Sequence, residues 1–202
     1  MKDSDSFNFV FYTLWGSLLL SPPAAFFSAR YAHQHRYMPH SLNSFGAFFL
    51  IGLACLFVGI QFSSTQANSV VLAVIYFSFF FIVGYASKSG ALYLKIPALL
   101  SGACVASIGY LLGTGGVLAL AFIVGDAIPV HSAVASPNVR CSVTTYGNAT
   151  TSTGGYVVQL QRPLLSSFVL ITLDEQRFEQ SQSQVSVSPQ EACTLAVEKN
   201  FS

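Results

Sequence analysis

The chain has 202 residues, 52% of them apolar and only 8% charged, with a formal net charge of +1. A soluble domain carries about 25% charged residues, so this composition excludes both an ordinary soluble fold and a disordered chain. It also excludes a nucleic-acid binder, because no basic excess exists to neutralise phosphates.

The placement of the charges defines the organisation. No Asp, Glu, Lys or Arg occurs from Ser6 to Ala29, between Arg36 and Lys88, or from Ile96 to Gly125. A bilayer core of about 30 Å needs roughly 20 apolar residues in a helix. Four spans are therefore expected, over about 7–29, 45–62, 70–86 and 98–125. The first carries Pro22-Pro23, which removes backbone donors and kinks a helix unless neighbours satisfy the freed carbonyls. Its leading residues hold Lys2 against Asp3 and Asp5, and Phe27 spoils a small-x-small cleavage site before Ala29. A retained helix is expected rather than a cleaved leader. The second and third spans read as a hairpin around the polar turn Ser63–Asn68.

The loop after the first span holds Arg30, Arg36, His33, His35 and His40, and the loop after the third holds Lys88 and Lys95. The loop after the second span holds no Lys or Arg. By the distribution of Lys and Arg, loops one and three face the cytoplasm. The N-terminus, loop two and everything beyond the fourth span face outside, in a plasma or inner membrane. Tyr31, Tyr37, Tyr85 and Tyr93 flank the basic loops, as an aromatic belt would.

The fourth span repeats small residues on one face: Gly102, Ala106, Gly109, Gly113 and Gly116. Gly109-x-x-x-Gly113 is a close-packing motif of membrane helices. It serves packing within the chain, or against another subunit, which would make a homo-oligomer. A break at Gly113-Thr114-Gly115-Gly116 is the third reading. No ionisable residue lies at membrane depth, which argues against ion-coupled transport. Cys55 and Cys104 read as small core residues of the second and fourth spans.

Residues 126–202 form a second, extracytoplasmic mixed strand/helix domain, rich in Ser, Thr, Gln and Val. Four Lys/Arg against six Asp/Glu leave it at −2. Asp126, His131 and Ser132, with Pro129 and Pro137, read as a stiff juxtamembrane linker. Val139–Tyr146 and the alternation of Tyr156, Val158 and Leu160 read as strands. Phe168–Leu173 reads as a buried central strand, and Val185 and Val187 as a short fourth one. Thr153-Gly154-Gly155 reads as a turn. Ser188-Pro189-Gln190-Glu191 is a capping box opening a helix to about Asn200, with Ala192, Leu195 and Ala196 on one face. Cys141 and Cys193 are placed to form a disulfide, which a small exported domain with a marginal core needs. Asn148-Ala-Thr150 and Asn200-Phe-Ser202 match glycosylation acceptors.

Catalytic chemistry finds little support. His33, His35 and His40 are a weak metal candidate. Histidine-box metal sites require several such boxes, and this chain has four histidines in all. No C-x-x-C pair and no G-x-S-x-G occur. The chain thus reads as an α-helical polytopic membrane protein with four transmembrane helices and a C-terminal α+β extracytoplasmic domain. The expected function is non-enzymatic and cofactor-free. It acts in the bilayer through protein–protein interaction, as an accessory subunit of an envelope or membrane complex or as an immunity- or exclusion-type factor. The alternative is an oligomeric channel or small-solute transporter.

Overall fold

A computed structural model describes residues 4–34, 38–88, 92–116, 120–121, 123–124, 129–136, 138–146, 154–166, 168–180 and 188–201. His35, Arg36, Tyr37, Asp126, Pro137, Asn148–Thr150, Thr153, Val185, Val187 and Ser202 lie outside them. The elements, in chain order, are α1 (Ser4–Gln34), α2 (Met38–Val58), β1 (Ile60–Phe62), α3 (Thr65–Ala86), α4 (Leu92–Tyr110), a π-helical turn (Leu111–Gly115), β2 (His131–Ser136), β3 (Val139–Tyr146), β4 (Gly154–Ser166), β5 (Val169–Gln180) and α5 (Pro189–Phe201). They cluster into two compact units. One gathers the described residues of 9–57 and 68–120, and the other those of 1–8, 58–67 and 121–202.

The first unit is helical. Asp5–Gln34, Thr65–Ala86 and Leu92–Gly115 are long and apolar enough to cross a membrane, and a shorter apolar stretch runs over Leu42–Val58. The helices expose Phe48, Ile51, Phe57, Leu100 and Leu111. Apolar surface of that kind needs lipid rather than water, so the chain is an integral membrane protein in contact with the bilayer. The second expected span stops early. Gly59 adopts φ +75°, a left-handed conformation that ends helices. Ile60, Gln61 and Phe62 then leave the helix as a strand.

Inside this unit, Ala25 and Ala29 of α1 bury themselves against Phe80 and Phe81 of α3. Phe45 of α2 joins them, with its ring centroid 4.3 Å from that of Phe81. Small residues permit the approach: a Cβ at Gly84 would lie 3.1 Å from the Ala29 Cβ, and one at Gly52 2.5 Å from Ile75 Cγ1. The two free cysteines are not both core residues, since Cys55 is half-buried and Cys104 is exposed.

The second unit is a five-stranded antiparallel sheet in the order β1-β5-β4-β3-β2 with α5 packed on one face. Alternation decides that face. Val139, Cys141 and Val143 of β3 and Val158 and Leu160 of β4 point one way and are buried with Ala192, Cys193 and Ala196 of α5. Burying a Val or Leu side chain stabilises by roughly 1.5–3 kcal/mol, so these few residues carry much of a small core. The Cys141–Cys193 disulfide joins β3 to α5 across it, with Cα atoms 6.1 Å apart. On α5 the buried residues are Ala192, Cys193 and Ala196; Leu195 is 46% exposed, not part of the packed face as expected.

Three further expectations for this region are corrected. The run at Phe168–Leu173 leads into β5, an interior strand between β1 and β4, but it is not buried throughout. Leu170 is buried, whereas Phe168 and Leu173 are exposed. Residues 131–136, read as part of a linker, form edge strand β2 against β3. Gly154 and Gly155 begin β4 rather than turning. At Gly155 a side chain would strike the Phe178 carbonyl and lie 2.9 Å from Tyr146 Oη, so the close pairing with β5 requires glycine.

The disulfide closes a loop spanning 52 residues, a constraint worth about 4 kcal/mol in the chain-entropy picture. The double variant Cys141→Ser, Cys193→Ser, purified full-length, is expected to lose the protease resistance of residues 129–201 at a denaturant concentration that leaves the parent intact. Equal resistance of the two proteins would contradict this role.

Candidate functional site

The helical unit contains a joint between two interrupted helices. Pro22 and Pro23 lack N–H groups, so the carbonyls four residues back, at Leu18 and Leu19, lose their helical donors. Tyr110 Oη, from the end of α4, donates to the Leu19 carbonyl at 3.2 Å. The chain's one tryptophan answers from α1: Trp15 Nε1 donates to the Gly113 carbonyl at 2.7 Å, inside the π-helical turn. Trp15 and Leu19 are four residues apart on α1, and Tyr110 at the end of α4 and Gly113 in the π-helical turn that continues it are three apart. The first of one pair meets the last of the other, so α1 and α4 run antiparallel. Thr114 Oγ1 donates back to the Tyr110 carbonyl at 2.6 Å, and the Gly116 N–H to the Leu111 carbonyl at 2.8 Å closes the wide turn.

The small-residue stripe lies at this joint and above it. Gly102, Gly109 and Gly113 are buried. A Cβ at Gly102 would meet Val83 Cγ1 of α3 at 2.7 Å, and one at Gly113 would meet Leu19 Cδ2 of α1 at 2.8 Å. At Gly109 it would collide with Tyr76 Oη of α3. Ala106 packs against the cluster of Ala25, Ala29, Phe80 and Phe81. A Cβ at Gly116 would instead meet the preceding turn, 3.2 Å from the Leu112 Cα. The stripe's contacts at 102, 106, 109 and 113 are with α1 and α3 of the same chain. Among the described residues, Tyr76 Oη and Ser78 Oγ are buried side-chain atoms with no hydrogen-bond partner.

The sheet unit presents a different feature. An open groove of about 600 Å³ runs between β2 and α5, lined on one side by His131, Ala133 and Val134 and on the other by Glu191, Thr194 and Glu198. Adjacent β2 residues line it because β2 is the sheet's last strand, accessible from its side. The capping box anchors the helical wall. Ser188 N–H donates to Glu191 Oε2 at 2.8 Å, and the Glu191 N–H donates to Ser188 Oγ at 3.2 Å. The backbone bond from Ser188, then its side-chain bond, holds the Glu191 carboxyl below the ordinary carboxylate range. A lowered folded-state pKa stabilises the cap above the unfolded value and is lost as pH falls through the folded one.

At the opposite end of the sheet the last strand is β1. β1 pairs with β5 in the register Ile60↔Ile171, Gln61↔Leu170 and Phe62↔Val169. The Ser63 N–H donates to the Phe168 carbonyl at 2.9 Å and the Thr172 N–H to the Gly59 carbonyl at 3.2 Å. The Gln61 amide donates to Thr172 Oγ1 at 3.3 Å and to Gln159 Oε1 at 3.4 Å, fixing the short strand by its side chain as well.

No group of three or more His, Cys, Asp or Glu side chains converges among the described residues. His33 lies in the last turn of α1 and His40 near the start of α2, both exposed, and His35 lies outside the described residues. Trp15, Tyr110, Gln61 and β2 were missed in the sequence. The prolines were the available signal for Tyr110, because freed carbonyls at Leu18 and Leu19 demand donors. In comparisons with known proteins, no family model, no curated protein and no solved structure matches this chain.

A hydrogen bond between membrane helices is worth roughly 0.6–2 kcal/mol. Tyr110→Phe and Trp15→Phe are each expected to lower the stability of the full chain in detergent by about 1 kcal/mol. The double variant should lose less or more than the sum, because both bonds close one joint. Strict additivity, followed by thermal unfolding, would contradict the joint.

Proposed function

We propose that the chain is a non-enzymatic, four-span envelope protein. Its N-terminus and C-terminal domain lie outside the cytoplasm of a plasma or inner membrane, and it works by binding other proteins. The role is that of an accessory subunit of a membrane complex or of an immunity- or exclusion-type factor. The observation that carries this reading is the β2 edge, left open beside α5 in a disulfide-linked sheet. A disulfide suits an oxidising compartment, and the loop supplying β1 is the one without Lys or Arg, on the side expected outside. An open edge beside a groove recruits extended segments of other chains.

The oligomeric channel has less support. The glycines that would build it through α4 make their contacts with α1 and α3 of the same chain. Chemical crosslinking in native membranes followed by mild-detergent purification is expected to recover the chain with a stoichiometric protein partner. Recovery of a lone monomer after crosslinking would overturn the reading.

A further inference from the structure

We propose that the groove between β2 and α5 takes an extended, Lys- or Arg-bearing segment of a partner protein, which adds to the sheet as a strand along β2. This rests on the interaction reading above and names the chemistry of the partner.

Three observations carry it. First, this sheet already grows by addition, since β1 comes from a distant part of the chain and pairs with β5 over three residues. Second, β2 lacks the charged and proline guards of an edge strand. Edge strands are normally blunted by Lys, Pro or inward charges, yet His131–Ser136 contains no Lys, Arg, Asp, Glu or Pro. Its register irregularity falls only at the Val134/Ser136 end, and Val134 is 76% exposed. Among the described residues, no strand pairs with β2 on its outer side. Third, the groove has a sign. Glu191 and Glu198, both exposed, line it beside His131, and among the described residues no Lys or Arg does.

Those observations select the occupant. Unpaired backbone groups along an edge call for another backbone in extended form, with alternate side chains reaching the groove. Carboxylates on the helical wall favour a cation among those side chains. A second copy of this chain is the poorer fit, because pairing β2 with β2 would bring the same carboxylates together from a domain already at −2.

The test uses the full-length protein in nanodiscs of zwitterionic phosphatidylcholine. The probes are two labelled, end-blocked hexapeptides, one alternating Val and Lys and one alternating Val and Glu. By fluorescence anisotropy the Val–Lys peptide should bind at least about tenfold tighter than the Val–Glu peptide. Glu198→Lys, on the exposed face of α5, should remove about tenfold of that affinity. Val134→Pro should abolish binding. Retention of the Cys141–Cys193 disulfide in both variants shows that the sheet is still formed.

Equal binding of the two peptides, absence of Val–Lys binding, or Glu198→Lys binding like the parent would each overturn the proposal. The broader reading fails separately. If Glu198→Lys leaves the crosslinked partner of native membranes fully recovered, this groove is the wrong surface and the interaction reading stands. If the parent recovers no partner, the interaction reading itself falls.

Discussion

Every backbone N–H and C=O removed from water needs a partner, and the irregular features of this molecule are answers to that requirement. In the helical unit the need is created by Pro22 and Pro23, which strip the Leu18 and Leu19 carbonyls of their helical donors. Tyr110 supplies one at Leu19 from a neighbouring helix. The π-helical turn that follows Tyr110 presents the Gly113 carbonyl, which takes the indole N–H of Trp15. Two interruptions that would each destabilise a lone span are thus paired with each other. The glycines set the distance, because a side chain at 109 or 113 would occupy the space of Tyr76 or Leu19.

The same requirement organises the sheet. An antiparallel ladder has two edges, and each presents a row of unpaired groups. On the β5 side, Gly59 breaks α2 and turns Ile60–Phe62 into a short strand that covers the first residues of β5. That strand is too short to hold by its ladder alone, and Gln61 adds side-chain bonds to Thr172 and Gln159. On the β2 side, α5 covers the face of the sheet, held there by the disulfide and by packing of Ala192 and Ala196. The side of β2 itself opens into a groove. The groove beside β2 is the physical basis for the proposal that β2 takes a partner strand.

Much of this was legible in the amino-acid order, and the failures have specific causes. The uncharged blocks located the helices because a bilayer imposes a length and a polarity that few other environments do. The strand Val139–Tyr146 and the inward set of Val158 and Leu160 were legible because a two-residue period survives in a half-buried sheet. The capping box at Ser188 and Glu191 was legible because its chemistry is local. β1 was not, because Ile60-Gln61-Phe62 continues an apolar run and only a partner more than one hundred residues away makes it a strand. β2 was hidden for a similar reason. Its small, polar composition resembles a linker until β3 lies beside it. The Trp15–Gly113 and Tyr110–Leu19 bonds join residues over ninety positions apart. The prolines announced that donors were needed but not which residues would supply them. Phe168–Leu173 placed an interior strand but misled on burial, since a continuous apolar run does not by itself cover both faces.

What distinguishes this chain from a simple bundle of spans is a sheet that is extended from within at one end, where β1 covers the start of β5, and that opens beside α5 at the other. Amide hydrogen exchange on the full-length protein in nanodiscs reads that asymmetry directly, because exchange reports which backbone N–H groups are held. The N–H groups of Ser63 and Thr172, which are bonded at the β1 end of the sheet, should exchange slowly, in line with the interior of β4. The outward N–H groups of His131–Ser136 should exchange faster by orders of magnitude. Protection along β2 equal to that of β4 would mean that this edge is already closed, and would contradict the account.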